Sequence, residues 1–247
     1  MSEIKRYRTV DLMRGIAIVS MVIYHTLWDL INVFDADIPW FYSEGGELFQ
    51  KFIRWSFILL SGFCWSMGKK RLKRALMVIG ASVIITAVTA VFTPSNTIIH
   101  GVLSLLGAAM LITIPLDKIY KKISPYIGFG LSLILFILTY DVELGKFGIN
   151  GVWTCNLSDS LYKNVITAFF GFPPRRFSSL DYVPFFPWVF AFWMGYFIYQ
   201  EIKRRDWLKY LSFISFKPLE WLGRHSLIIY MLHQPLVYGL LHLIYYF

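Results

Sequence analysis

Runs of about 20 residues with almost no charge recur along this chain, and they constrain its fold more than any motif does. A bilayer core about 30 Å thick takes about 20 apolar residues in a helix to cross. Lipid offers the backbone no hydrogen-bond partner, so such runs must be helical. Seven spans can be placed, at roughly 10–33, 48–68, 74–93, 97–116, 125–140, 184–201 and 219–246, the fifth being short. No internal repeat or low-complexity linker divides the 247 residues. The sequence therefore predicts one all-α domain over 1–247, a polytopic transmembrane helical bundle of about seven spans. Charged residues make up 16% of the chain against about 25% in soluble domains, which leaves too much apolar surface for one soluble core.

The basic residues fall in four short clusters: Lys5, Arg6 and Arg8; Lys69 to Arg74; Lys118, Lys121 and Lys122; and Lys203, Arg204, Arg205, Lys209 and Lys217. They alternate with the poorly basic loops 35–47, 93–96 and 141–182. Lys and Arg in short loops mark the cytoplasmic side, so the N-terminus is expected in the cytoplasm and the C-terminus outside. Topology thus accounts for the net charge of +9 without any nucleic-acid partner. The basic start runs into a long apolar stretch with no small-residue cleavage site, so a retained first helix is expected rather than a signal peptide. Cys64 lies in an apolar run and Cys155 in a loop, so neither a disulfide nor a metal site is expected. The loop 141–182 is long for a compact chain, and its segment 157–172 is apolar enough to lie on the membrane. Asn156-Leu157-Ser158 is a glycosylation sequon by pattern alone.

Ionisable residues inside membrane spans are costly and mark function by default. Arg14 and His25 are eleven positions apart on the first span, which puts them on one helix face about 16 Å apart. Asp29 follows His25 by four, a spacing that lets the carboxylate meet the imidazole and orient it as a general base. Arg54, His100 and Asp181 fall toward the outer side of their spans and are expected to line a polar chamber with His25 and Asp29. Arg224 and His225 sit near the cytoplasmic side, as Arg14 does, where Arg pairs suit phosphates. Anionic headgroups would also satisfy such Arg residues. His233 and Gln234 fall near mid-membrane, and Pro235 is expected to kink the last helix beside them. Gly62 and Ser66 form a small-xxx-small pair for helix packing.

Several of these segments carry a resemblance. Thr9-Val10-Asp11-Leu12-Met13-Arg14-Gly15, followed by Tyr24-His25 and Asp29, resembles the opening of small bacterial membrane proteins. These are grouped with the catalytic domain of heparan-α-glucosaminide N-acetyltransferase. The Arg, ten residues, then His arrangement is also similar to acyltransferase type 3 membrane enzymes. Ser61-Gly62-Phe63, His100-Gly101-Val102-Leu103, Phe177 to Tyr182 with Trp188, and Leu222-Gly223-Arg224-His225-Ser226 with Leu232-His233-Gln234-Pro235 resemble further family segments in the same order. The resemblance implies transfer of an acetyl or other acyl group from cytoplasmic acyl-CoA to an amine or hydroxyl of an extracytoplasmic sugar or glycan. It also implies a multi-pass home in a bacterial plasma membrane. The chain departs from the family at four places. His25 stands where the eukaryotic enzyme has Asn, the segment Phe34 to Ile53 lacks a His, His100 stands where Phe is common, and Ser104 stands where many members have His. Heparan sulfate is therefore not implied as substrate.

On this reading Arg14 and Arg224, with His225, hold the phosphates of acetyl-CoA or another acyl-CoA. His25, oriented by Asp29, is the base or acyl carrier, with His233 as second base. Arg54 or His100 stabilises developing negative charge. Asp181, Tyr182 and Trp188 are expected to bind the acceptor. The expected partners are the lipid bilayer and the sugar acceptor, with a homodimer left open, and no metal is expected. A transporter or lipid-handling protein would use the same buried Arg, His and Asp as a substrate or proton route. A receptor or partner subunit would not need Arg14 and His25 aligned. Thioester cleavage separates the first reading from the other two, and liposome flux separates the second.

Overall fold

A computed structural model describes residues 7–246; Lys5 and Arg6 of the first basic cluster lie outside them. Nine α-helices are present among the described residues: α1 (Arg8–Asn32), α2 (Glu44–Trp65), α3 (Arg71–Phe92), α4 (Val102–Tyr120), α5 (Pro125–Leu138), α6 (Val165–Phe170), α7 (Phe185–Arg204), α8 (Lys217–Arg224) and α9 (Ser226–Tyr246). One antiparallel hairpin, β1 (Lys146–Ile149) and β2 (Trp153–Asn156), interrupts the helical pattern, with Lys146 opposite Asn156. Among the described residues, five helices are long and apolar enough to cross a membrane: Arg8–Asn32, Arg71–Phe92, Val102–Tyr120, Pro125–Leu144 and Ser226–Tyr245. The outward faces agree. On α3 the small Ala75 and Ala81 are buried, while Leu76, Val83, Ile84, Val88 and Val91 are exposed, a distribution suited to lipid and costly in water. The chain is a helical membrane protein.

Two expected spans need correction. The fourth begins at Val102 rather than 97, because residues 97–101 leave helical geometry. His100 takes a positive φ of 57°, and its carbonyl accepts a hydrogen bond from Val183 N at 3.0 Å. His100 therefore sits in the loop before α4 and not inside a span. The last span is two helices. α8 stops at His225, whose N–H returns to the carbonyls of Trp221 and Leu222, and α9 starts at Ser226. The loop 141–182 holds the unforeseen hairpin and also α6. Asn164 Oδ1 caps α6 by accepting from Thr167 N at 2.9 Å, and Gly171 ends it at a φ of 106°.

The chain divides into two compact units, one formed by Met1–Leu60 with Lys203–Phe247 and the other by Ser61–Ile202. In the first, Ile18 and Met21 of α1 pack with Ile53 of α2, flanked by Phe57, Leu222 and Tyr230. Here α1 and α8 meet backbone to backbone: a Cβ on Gly15 would stand 2.0 Å from the Leu219 carbonyl oxygen, and one on Gly223 1.9 Å from that of Asp11. In the second unit, Gly62 does the same against Phe192 O, at 1.8 Å, so the small-xxx-small face expected from Gly62 and Ser66 is a packing surface for α7. Buried Asp117 braces this unit. It takes Arg71 and Lys121 at 2.6 Å each and the Tyr196 hydroxyl at 2.8 Å, which compensates a carboxylate only 5% exposed.

Candidate functional site

The richest buried polar cluster of the first unit is built by α1 and α9. Spacing of four on α1 brings His25 and Asp29 to one face, and Tyr230, His233 and Gln234 share a face of α9 by the same rule. Pro235 follows inside α9. Lacking an N–H, it leaves the Met231 carbonyl without its usual helical donor, next to His233 and Gln234.

Asp29 is 1% exposed and His233 8%. Burying a carboxylate this deeply requires a donor, and the donor is Gln234, whose Nε2 reaches Asp29 Oδ1 at 2.7 Å. The carboxylate thus bonds across to α9, and His25 is not the residue that holds it. The His25 ring instead lies edge-on to His233, centroids 5.0 Å apart, and to Tyr24 at 5.8 Å. The hydrogen bond expected between the His25 imidazole and the Asp29 carboxylate is not made; the Gln234 amide on the facing helix supplies the donor instead.

His233 has its tautomer fixed by geometry. Its Nδ1 stands 2.7 Å from the Tyr230 carbonyl oxygen, which can only accept, so Nδ1 carries the hydrogen. In the neutral ring Nε2 is then the basic nitrogen. Two further buried acceptors, Asp29 Oδ2 and Gln234 Oε1, have no hydrogen-bond partner among the described residues. Such oxygens are costly in a dry interior, and a ligand N–H or O–H would satisfy them. Arg54 is half-buried on α2 of the same unit, next to Ile53 of the core.

Near the first residues of α9 lies the second polar group of this unit. Arg14 Nη2 donates to Ser226 Oγ at 2.6 Å, and its Nη1 stands 3.6 Å from Asp11 Oδ1. The long ion pair and the single hydroxyl use a minority of the five guanidinium donors. Arg224 is exposed and turned to its own helix, with Nε on the Glu220 carbonyl at 3.2 Å and Nη2 3.9 Å from Glu220 Oε2. His225 caps α8 through Nδ1 to Trp221 O at 2.9 Å, its ring 4.5 Å from the indole. Of the three expected phosphate ligands, Arg14 is the one tied across helices, while Arg224 and His225 serve α8 locally.

His100 and Asp181 come together in the second unit. His100 Nε2 donates to Val165 O at 2.8 Å, and its ring stacks on Phe177. A Cβ on Gly101 would meet Asp181 O at 3.2 Å. Ser179 Oγ bridges to Ile99, donating to its carbonyl at 2.8 Å and accepting from its N–H at 2.9 Å, so the segment before α4 is stitched to residues 177–183. Tyr182 donates to Ala168 O at 2.5 Å. Burial, with the Glu143 carboxylate adding to it, pushes this phenol above the ordinary tyrosine range and keeps it a donor. Trp188 is 7% exposed and packs edge-on to Phe136, a core position.

Gln234, Ser226 and Tyr230 were visible in the sequence as neighbours of charged residues, yet nothing in it assigned them a role. The usable signal was that a carboxylate inside a span must find a donor, and Gln234 is an amide at similar depth on another span. Among the described residues no three His, Cys, Asp or Glu side chains stand together as a metal site.

A family model described as "Heparan-alpha-glucosaminide N-acetyltransferase, catalytic" matches residues 6–235. No curated protein and no solved structure matches the chain.

Proposed function

The chain belongs to the heparan-α-glucosaminide N-acetyltransferase catalytic family, a family of transferases, and from that premise we propose that it moves an acetyl or acyl group from acyl-CoA to an amine or hydroxyl of an extracytoplasmic sugar. The observation that carries this reading is the α1–α9 cluster. A buried imidazole with its tautomer fixed stands with buried acceptor oxygens that call for a ligand N–H or O–H. The acceptor would donate to Asp29 Oδ2 or Gln234 Oε1, and Nε2 of His233 would take its proton as the acceptor atom attacks the thioester carbonyl. The carbon–sulfur bond then breaks, and the departing thiolate recovers the proton from the imidazolium. His25, in ring contact with His233, would pass or share that proton. Arg54, on α2 of the same unit, would stabilise the charge that develops; His100, Asp181 and Tyr182, grouped in the second unit, would contact the sugar.

The proposed frame is one catalytic domain of about seven spans in a bacterial plasma membrane. Its N-terminus and basic clusters face the cytoplasm and the loop 141–182 faces outside. Cys155 on β2 is exposed and tests this topology. A membrane-impermeant maleimide is expected to label it in intact cells and in the absence of detergent. Labelling that requires permeabilised cells would reverse the orientation.

Acyl-CoA would enter as substrate from the cytoplasmic side, with Arg14 on its phosphates. Purified protein in detergent is expected to bind acetyl-CoA, and Arg14→Ala to weaken binding roughly tenfold or more, the scale of a lost charge-assisted hydrogen bond. Arg14→Lys should fall between, since an ammonium keeps the charge and loses the planar fork. A folded wild type that binds neither acetyl-CoA nor longer acyl-CoAs, and that moves solute in a liposome flux assay, would replace acyl transfer by transport.

A further inference from the structure

The connector between α7 and α9 carries chemistry that acyl transfer leaves unused. From Lys203 in the last turn of α7 to Arg224 at the end of α8 stand six Lys or Arg residues against two acidic ones. Both acids are already engaged: Asp206 pairs with Lys209 at 3.3 Å, and buried Glu220 takes the Ser215 hydroxyl at 2.5 Å and Arg224 at 3.9 Å. The segment therefore holds a surplus of positive charge. Large apolar side chains alternate with these bases and point outward, namely Trp207, Tyr210, Phe213, Ile214, Phe216 and Trp221, with Phe213 90% exposed. The Arg205 guanidinium lies 4.8 Å over the Trp207 ring and the Lys209 ammonium 5.4 Å from that of Tyr210. Cation and aromatic thus occupy one surface and would be desolvated together.

Position along the chain adds to composition. The connector is tied to the start of α1, where Thr9 Oγ1 donates to Ile214 O at 3.3 Å, and it runs directly into α9 at Ser226. Both helices are long and apolar enough to cross a membrane. A band of exposed aromatics held at the ends of two such helices meets the bilayer at its headgroup level, where Trp and Tyr are favoured. We propose that the connector, Arg205 to Trp221, is a binding surface for anionic phospholipid headgroups. The aromatic rings seat at the acyl boundary, and Arg205, Lys209 and Lys217 pair with headgroup phosphates. Charge complementarity identifies the occupant: a neutral leaflet would cover the rings and offer no net negative charge to a segment whose net charge is positive. A soluble acidic protein would match the charge and leave Phe213 and Ile214 without an apolar partner.

The test uses the full chain in nanodiscs of phosphatidylcholine with and without phosphatidylglycerol, reading the lipid that remains bound on extraction. Wild type is expected to enrich phosphatidylglycerol, and Arg205→Gln, Lys209→Gln and Lys217→Gln each to lower that enrichment by up to about fivefold, the weight of one basic residue at a charged surface. Added salt should act in the same direction, whereas inorganic phosphate should not displace the lipid. A second measurement does not depend on these variants folding well. A fluorophore on Phe213→Cys, in a Cys64→Ser, Cys155→Ser background, should be quenched by nitroxide-bearing lipid and protected from an aqueous quencher. Equal retention of the two lipids, unchanged enrichment in the variants, full competition by inorganic phosphate, or a Phe213 position quenched from water alone would each overturn the proposal.

Discussion

His233→Ala is expected to abolish most acyl transfer, by about 10²–10⁴-fold in kcat, the usual contribution of a positioned general base. The Tyr230 carbonyl holds Nδ1–H at 2.7 Å, so Nε2 is the nitrogen that takes a proton without any change of tautomer. His25 lacks such an anchor among the described residues and meets its neighbours through ring contacts, so His25→Ala should cost less than His233→Ala. His233→Asn distinguishes chemistry from packing. The asparagine amide can still donate toward the Tyr230 carbonyl and occupies similar space, but it has no basic nitrogen. It should match alanine in activity and wild type in thermal stability. Transfer at the wild-type rate by His233→Asn would remove His233 from the chemistry, and a larger loss in His25→Ala would return the base to α1.

The spans and the charged members of the cluster were legible because lipid makes both conspicuous. An apolar run of 25 residues has one outcome in a bilayer, and α1 begins and ends within two residues of the expected 10–33. His25, Asp29 and His233 stood out because ionisable groups are rare in such runs. The failures have a different origin. Hydropathy reports composition and not dihedral angles, so Thr97-Ile98-Ile99 read as helix although His100 adopts a positive φ. The break at His225 was hidden in the same way, since Gly223, Arg224 and His225 looked like the polar end of one helix. The hairpin did announce itself. Asn150-Gly151 is a strong short-range turn signal, and Gly151 takes a φ of 83°, but the four-residue strands beside it are too short to stand out from the surrounding loop.

Partner choice was the deeper limit for the site. Spacing of four makes His25 and Asp29 neighbours, yet it is silent on what α9 offers to the same carboxylate. A buried acid takes the best donor in reach, and identifying Gln234 requires knowing the rotation of α9 about its own axis. The same limit applies to Arg14, whose bond to Ser226 spans more than two hundred residues of sequence. Which residues share one face of a helix was predictable, and which partner each of them takes was not.

Gly15 and Gly223 show how far that limit extends, because their substitution is expected to cost more stability than that of any charged residue on α1 or α8. A Cβ on Gly15 would lie 2.0 Å from the Leu219 carbonyl oxygen, and one on Gly223 would lie 1.9 Å from that of Asp11. Both obstacles are backbone atoms, so no rotamer change relieves them and the two helices would have to move apart. Overpacking commonly costs about 1–3 kcal/mol where side chains can yield. Here Gly15→Ala or Gly223→Ala should exceed about 3 kcal/mol. The separation would also carry Ser226 away from Arg14, so acetyl-CoA binding should fall together with stability. Gly80 and Gly130 provide the control: a Cβ on either meets nothing within 4 Å. Replacing them by alanine should be neutral or slightly stabilising, since alanine is the better helix former. Thermal unfolding of the four purified variants in one detergent decides the matter. Gly15→Ala and Gly223→Ala melting with the two controls would mean that α1 and α8 are not held at backbone contact.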